Sequence, residues 1–197
     1  MSVVALYLAS RSPRRRELLN QIGVIHALVA GDIDETPKSG EAPDSYVIRM
    51  ATEKACAGLA TMRQHASVPR PVLAADTSVI IDGRMLGKPI DRKDAVAMLT
   101  ELGNREHQVM TAAAITNGEQ LEHRLSVTRV LFQPLSEAQI IRYWQTGEPQ
   151  DKAGAYGIQG LGAVFVREVQ GSYSGVVGLP IAETVELLDC FGVPYWQ

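Results

Sequence analysis

Three arginines, Arg14, Arg15 and Arg16, occupy the first turn of a predicted helix. Ser12-Pro13 is a favourable helix start, apolar residues then recur at helical spacing, and Gly23 ends the pattern. Cations are disfavoured in a first turn because the helix dipole already leaves about half a positive charge there. This arrangement makes sense if an anion regularly compensates the arginines.

The first turn of a helix can bind an anion, since its amides have no partners within the helix. Arginine adds a planar fork that matches phosphate oxygens. We therefore interpret the stretch as a phosphate site made of Ser10, Arg14, Arg15 and the main-chain amides of residues 12–14. The alternative is a solvated basic turn in which the arginines pair with Glu17 or another acid.

Asp76 lies inside the apolar strand pattern PVLAADTSVII. An ionised carboxylate is costly in such a strand unless it is paired or bound to a metal. Asp76 is therefore a candidate metal ligand or general base. The alternative is an aspartate at the end of the strand, held by main-chain amides or by a neighbouring lysine.

An acidic loop, Asp32-Ile33-Asp34-Glu35, supplies a second group of carboxylates. Oxygen ligands of this kind suit Mg²⁺ or Mn²⁺, and two carboxylates with phosphate oxygens are a usual set for Mg²⁺. Glu35 is the candidate ligand, although acidic loops are often only solvated. The four histidines have no spacing that would indicate a zinc site.

Two lysines and a glycine-rich segment could complete such a site. Lys54 follows Val47 by one heptad, which puts it near the apolar face of its helix, where a long stem commonly covers the core. Lys88 stands between a glycine and a proline in a rigid turn. Each lysine matters for the chemistry only if it converges with Asp76. In DKAGAYGIQGLG, the glycines would let a ligand approach the main chain, and Gln159 offers a donor and an acceptor to a base edge.

The composition excludes several classes of protein. A formal charge of −3 gives no general field for polymeric nucleic acid or for an anionic membrane, so any anion site must be local. The two cysteines form no metal or redox motif, and no apolar run reaches the roughly 20 residues that span a bilayer. We expect a cytoplasmic protein without a signal peptide.

Strand and helix patterns alternate along the 197 residues. Strands are predicted at 3–8, 27–30, 72–81, 85–86, 107–116, 125–132 and 163–169, and helices at 13–22, 44–59, 91–103, 136–144 and 180–188. Hairpins interleaved with helices predict an α/β fold with a mixed, partly antiparallel sheet flanked by helices. We expect a single domain over 1–197, with two lobes around a cleft as the open alternative.

Taken together, these stretches resemble the Maf family of nucleoside triphosphate pyrophosphatases. The matching segments are LASRSPRRRELL, DETP, the EKA around Lys54, AADTSV, LGKP, HQVMTA, DKAGAYGIQGLG and GSYSGVVGLP. They run from Leu8 to Pro180 in the order of the family. One departure is Gly175, where relatives often carry Asn.

The resemblance implies a two-lobed fold similar to inosine triphosphate pyrophosphatases, with the substrate in a central cleft. It implies hydrolysis of a nucleoside triphosphate to the monophosphate and pyrophosphate with a divalent cation, Mg²⁺ or Mn²⁺. Asp76 matches the catalytic acid of the family, and a further set matches its phosphate- and metal-handling positions: Ser10, Arg14, Arg15, Glu35, Lys54 and Lys88. Arg14, Thr77 and Gln159 match the group that acts on dTTP and UTP.

Other functions remain open within this resemblance. The substrate could be another nucleotide, such as a modified or methylated guanine nucleotide. The family is associated with cell-division arrest, so a nucleotide-binding regulator with little turnover is a second alternative to an enzyme that cleans the nucleotide pool. For the oligomeric state, a homodimer is an open alternative.

Overall fold

The computed structural model describes residues 4–65 and 68–197. Seven strands have these bounds: β1 Leu6–Ala9, β2 His26–Val29, β3 Val72–Ile81, β4 Arg84–Leu86, β5 Glu106–Thr116, β6 Leu121–Phe132 and β7 Val166–Gln170. Six α-helices accompany them: α1 Pro13–Gln21, α2 Pro43–His65, α3 Arg92–Leu102, α4 Glu137–Gln145, α5 Tyr173–Val177 and α6 Ile181–Cys190. The first predicted strand begins at position 3, which lies outside the described residues.

The strands form one mixed sheet in the order β2-β1-β3-β5-β6-β7, and β4 pairs with β3. β1 is parallel to both β2 and β3, whereas the β3–β4 and β6–β7 pairs are antiparallel. The predicted α/β class with a mixed sheet is therefore confirmed.

Local signals explain most of the element ends. Asp91 accepts a hydrogen bond from the Asp94 amide at the start of α3, and Ser136 and Gln139 form the predicted capping box of α4. Asp82 and Gly83 both have positive φ, as a tight hairpin turn between β3 and β4 requires.

The strand predicted at 163–169 was wrong at its start, because residues 161–165 form a 3₁₀ turn and β7 begins at Val166. The reason is Glu148, whose carboxylate accepts hydrogen bonds from the amides of Leu161 and Gly162 at 2.8 and 2.9 Å. These bonds curl the chain, and a strand ladder would have to break them. The short helix α5 was not predicted, α2 is longer than expected at both ends, and β6 begins at Leu121 rather than Leu125.

The chain divides into two compact units. The first comprises Met1–Asp76, Thr111–Ser126 and Gly178–Gln197, and the second comprises Thr77–Met110 and Val127–Val177. Of the predicted site residues, Ser10, Arg14, Arg15, Glu35, Lys54 and Asp76 belong to the first unit, and Thr77, Lys88 and Gln159 to the second. The single domain and the substrate cleft stay predictions.

Candidate active site

The parallel strands β2, β1 and β3 have an order that reverses at β1. The chain runs from β1 through α1 to β2, and then through α2 to β3 on the other side of β1. In open α/β sheets, ligands bind at the carboxyl ends of the strands where the strand order reverses in this way. Leu8 pairs with Leu73 in register, so residue 10, just past β1, is level with residue 75 in β3. The register thus brings the arginine-bearing turn, the first turn of α1 with Arg14 and Arg15, beside Asp76.

Lys54 joins two carboxylates at this point. Its Nζ atom lies 2.7 Å from Oδ1 of Asp76 and 2.7 Å from Oε1 of Glu35. The side chains of Lys54 and Asp76 are only 13% and 12% exposed, whereas that of Glu35 is 55% exposed. A buried carboxylate therefore has the charged partner that its burial requires, and a second carboxylate lies at the solvent side of the same ammonium.

The packing of α2 on the sheet sets the position of Lys54. Val47, Met50 and Ala51 are fully buried on the apolar face of the helix. One turn after Lys54, Gly58 lies so close to β1 that a Cβ atom there would stand 2.6 Å from the Cβ of Ala9. Any larger residue at position 58 would push α2 away from the sheet, and Lys54 away from Asp76.

The turn before α1 is built differently from the predicted cap. Ser12 has the extended conformation of an N-cap, but its side chain makes no capping hydrogen bond. Instead, the Ser12 amide donates to Oγ of Ser10 at 3.1 Å. Ser10 thus organises the turn from the end of β1, and Arg14 and Arg15 follow it, both partly buried.

Arg15 is held by the protein itself. Its Nε donates to the carbonyl oxygen of Gly178 at 2.7 Å, and its Nη1 lies 3.5 Å from Oγ of Ser10. Burial lowers the pKa of Arg15 below its usual value; the charge of Asp76 opposes that shift and the charge of Arg14 adds to it. Arg15 is therefore within electrostatic range of the carboxylates that Lys54 joins. The partial burial of Arg15 does not fit a fully solvated turn, but an acid within its electrostatic range fits the pairing that the same alternative allowed.

The acidic loop contacts α2 through residues that the sequence reasoning missed. The Tyr46 hydroxyl donates to the main-chain carbonyl of Glu35 at 2.9 Å, and Nη2 of Arg49 donates to that of Thr36 at 3.2 Å. A polar pair spaced i, i+3 early in α2, just after the acidic loop, was the only signal that could have indicated them.

In the second unit, the glycine-rich segment is organised by Glu148. Besides the two amides already named, the Tyr143 hydroxyl donates to Oε1 of Glu148 at 2.7 Å, and the same hydroxyl accepts from the Gly157 amide at 3.0 Å. Burial opposes ionisation of Glu148, but the hydrogen bonds outweigh it and lower the pKa. Gln159 is exposed on the segment that these bonds fix.

Lys88 and Thr77 lie elsewhere in the second unit. Lys88 is exposed in the turn after β4, where the preceding carbonyl of Gly87 accepts a hydrogen bond from the Gly154 amide at 3.0 Å. Thr77 is half-buried in β3. Their convergence with Asp76 and Lys54 stays a prediction.

Comparison with known proteins identifies the family. The sequence model of the family of Maf-like proteins matches residues 5–191. The chain belongs to the Maf family.

Several Maf relatives named dTTP/UTP pyrophosphatase are similar over almost the whole chain. The protein of Saccharophagus degradans is 56% identical, covering 98% of this chain and 91% of its own length. That of Shewanella denitrificans is 55% identical over 92% and 93% of the two chains, and that of Aromatoleum aromaticum is 48% identical over 96% of each. The resemblance inferred from the sequence motifs is confirmed.

The carboxylates of this site could supply part of the coordination shell of a cation. Among the described residues, no three His, Cys, Asp or Glu side chains converge into a group that could hold a metal ion. Asp76 and Glu35 are nevertheless two hard-oxygen donors that contact one ammonium. Two carboxylates completed by phosphate oxygens and water are a set that Mg²⁺ accepts.

Within the described part of the chain, no helix combines the length and apolarity needed to cross a membrane.

Proposed function

We propose that this Maf protein hydrolyses dTTP and UTP to the monophosphate and pyrophosphate. The observation that carries the proposal is the Lys54 ammonium at 2.7 Å from both Asp76 and Glu35, beside the arginine-bearing turn. This arrangement combines a carboxylate that can activate water with cations that can hold phosphate. The names of the relatives, dTTP/UTP pyrophosphatase, support the choice of substrate.

In the proposed mechanism, Asp76 orients and activates a water molecule, as base, as metal ligand or as both. The water oxygen attacks the α-phosphorus, the bond from that phosphorus to the bridging oxygen breaks, and pyrophosphate leaves. Lys54 fixes the Asp76 carboxylate, so the carboxylate need not reorganise during the reaction. The proton of the water passes to Asp76 where Asp76 acts as the base.

The proposed phosphate-binding groups lie between the end of β1 and the first turn of α1. Arg14 and its main-chain amide are the groups that would meet the triphosphate, with Ser10 and Arg15 holding this segment in place. Lys88 is proposed as a further cation for the leaving pyrophosphate. Charge that develops on phosphate oxygens is stabilised best by donors fixed in advance, and the hydrogen bonds of Ser10 and Arg15 supply that fixation.

We propose Glu35 and Asp76 as the protein ligands of a divalent cation, Mg²⁺ or Mn²⁺. When bound, the cation would neutralise charge on the phosphates during the attack of water. The 55% exposure of the Glu35 side chain leaves its carboxylate accessible to a hydrated ion.

The choice of base is assigned to Gln159, Thr77 and Arg14. A uracil or thymine edge presents two carbonyl acceptors on either side of one N–H donor. Gln159 can provide a donor and an acceptor, Arg14 can donate, and Thr77 can do either. A purine or cytosine would leave some of these polar groups unpaired, which can discriminate by up to roughly 10⁴–10⁵-fold.

The test is pyrophosphate release over a panel of nucleotides with Mg²⁺ or Mn²⁺ in H₂¹⁸O. We expect dTTP and UTP to be hydrolysed far faster than ATP, GTP or CTP, with the label in the monophosphate. Asp76→Asn should lower the rate by about 10²–10⁴-fold in a folded protein, because Asn cannot act as a carboxylate base. Gln159→Ala should narrow the gap between UTP and CTP.

Contrary results would favour a different substrate or a different function. Faster hydrolysis of a methylated guanine nucleotide would replace the substrate, and tight binding without turnover would favour a regulator of cell division. Wild-type rates in Asp76→Asn would refute the catalytic assignment. The cytoplasmic location and a possible homodimer stay predictions from the sequence; the exposed, unpaired Cys56 and Cys190 are consistent with a reducing compartment.

A further inference from the structure

The loop that carries Glu35 is attached to α2 through its main chain. The Tyr46 hydroxyl donates to the Glu35 carbonyl oxygen at 2.9 Å, and Arg49 donates to the next carbonyl, that of Thr36, at 3.2 Å. These bonds do not use the Glu35 carboxylate, which is bound by Lys54. The helix therefore holds Glu35 at two points, the main chain and the carboxylate.

Arg49 is itself firmly held. Its Nε and Nη2 atoms donate to the two carboxylate oxygens of Glu41 at 2.6 and 2.7 Å, and the side chains are only 16% and 9% exposed. Glu41 also accepts from the Lys38 amide at 2.9 Å, which fixes the far end of the loop. The pKa of Glu41 is lowered to about 2, mainly by the hydrogen bond from Arg49.

Arg49 also holds the ring of Tyr46. The guanidinium of Arg49 lies over the Tyr46 ring, 5.6 Å from its centroid, which adds a cation–π contact. The ring is thus held in the position from which its hydroxyl reaches the loop.

We propose that Tyr46 is a positioning residue: its bond to the Glu35 main chain aims the Glu35 carboxylate at Lys54 and at the proposed cation. The inference rests on the proposed function for its kinetic consequence, but its structural basis is independent of that function. Without the hydroxyl, the main-chain attachment of Glu35 to Tyr46 would be lost, and the Glu35 side chain is 55% exposed to competing water. Loss of such an outer partner commonly costs 10–100-fold in metal affinity or activity.

The first part of the test is a double-mutant cycle on kcat/KM for UTP. Tyr46→Phe keeps the ring and removes only the hydroxyl, and should lower kcat/KM by about 10–100-fold and raise the Mg²⁺ concentration needed for half-maximal rate. In a Glu35→Gln background, the same change should have almost no further effect, because Tyr46 acts through Glu35. Tyr195→Phe is the matched control, since it removes a hydroxyl that bonds Asp189 in the same unit.

The second part is amide hydrogen exchange of the loop in the protein without nucleotide. Tyr46→Phe should speed exchange in residues 33–38, and Tyr195→Phe should leave it unchanged. Wild-type kinetics in Tyr46→Phe, or an effect of equal size with and without Glu35, would overturn the proposal. If the wild-type protein released no pyrophosphate from any nucleotide, the proposed function would fall, and unchanged loop exchange in Tyr46→Phe would then refute the positioning role separately.

Discussion

Replacing Lys54 by Met tests whether its ammonium balances the buried Asp76 carboxylate. Met keeps a long apolar side chain against the core and removes the charge. Asp76 is 12% exposed, so its carboxylate would lose the ammonium that lies 2.7 Å away without gaining full hydration. Removing one partner of a buried ion pair typically destabilises a protein by about 3–5 kcal/mol.

Two neighbours put the expected cost near the low end of that range. Arg15 lies within electrostatic range of Asp76 and would still compensate it in part. Glu35 is 55% exposed and can be hydrated at little cost. We therefore expect a loss of about 3 kcal/mol, which for a chain of this length corresponds to a decrease in Tm of roughly 6–12 °C.

The assay is thermal and urea unfolding of the protein without nucleotide. Lys93→Met, at an exposed position of α3, is the control and should leave Tm almost unchanged. Asp76→Asn combined with Lys54→Met should recover much of the loss, because the buried charge is then gone as well. A Tm of Lys54→Met within about 2 °C of wild type would refute the assigned ion pair.

Two further expectations concern other charged groups. Burial lowers the pKa of His107 to about 4, so between pH 6.5 and 4 the unfolded chain binds a proton that the native protein does not. The free energy of unfolding should fall by up to about 3 kcal/mol as pH decreases through that window, and His107→Gln should flatten the slope in pH-dependent urea unfolding. Arg14→Ala should leave the Tm of the free protein unchanged or higher, since it removes a cation from a helix start. Arg15→Ala should lower Tm through loss of its bond to Gly178, and equal melting of the two variants would contradict this distinction.

Elements with strong local signals could be predicted from the sequence. The bounds of β3 were predicted correctly because its apolar run ends at a turn whose two residues, Asp82 and Gly83, favour positive φ. The capping box of α4 was likewise predicted, since Ser136 and Gln139 lie three positions apart in the sequence. These features depend on residues that are neighbours along the chain.

The partners of the candidate site could not be derived from local patterns. Lys54 and Asp76 are 22 positions apart, and Arg15 and Gly178 are 163 apart. A heptad relation placed Lys54 near the apolar face of its helix, but the acid that it meets depends on how α2 packs against the sheet, which it approaches closely at Gly58. The family resemblance indicated the set of residues without indicating these contacts.

The contacts also change the explanation for the arginines at the start of α1. Arg15 is balanced within the protein by the Gly178 carbonyl and by the field of Asp76 and Glu35, so it does not require a ligand. Arg14 is therefore the arginine that we propose to bind the triphosphate. Among the proposed site residues of the first unit, Arg14, Arg15 and Lys54 exceed the carboxylates of Glu35 and Asp76 by a single positive charge. Even with the proposed Lys88, the surplus would be two positive charges, fewer than the negative charges of a triphosphate, and the two carboxylates would repel anionic oxygens that come near them. A divalent cation held by Asp76 and Glu35 would supply the missing positive charge and reduce that repulsion, which is a physical reason to expect the proposed enzyme to depend on Mg²⁺ or Mn²⁺.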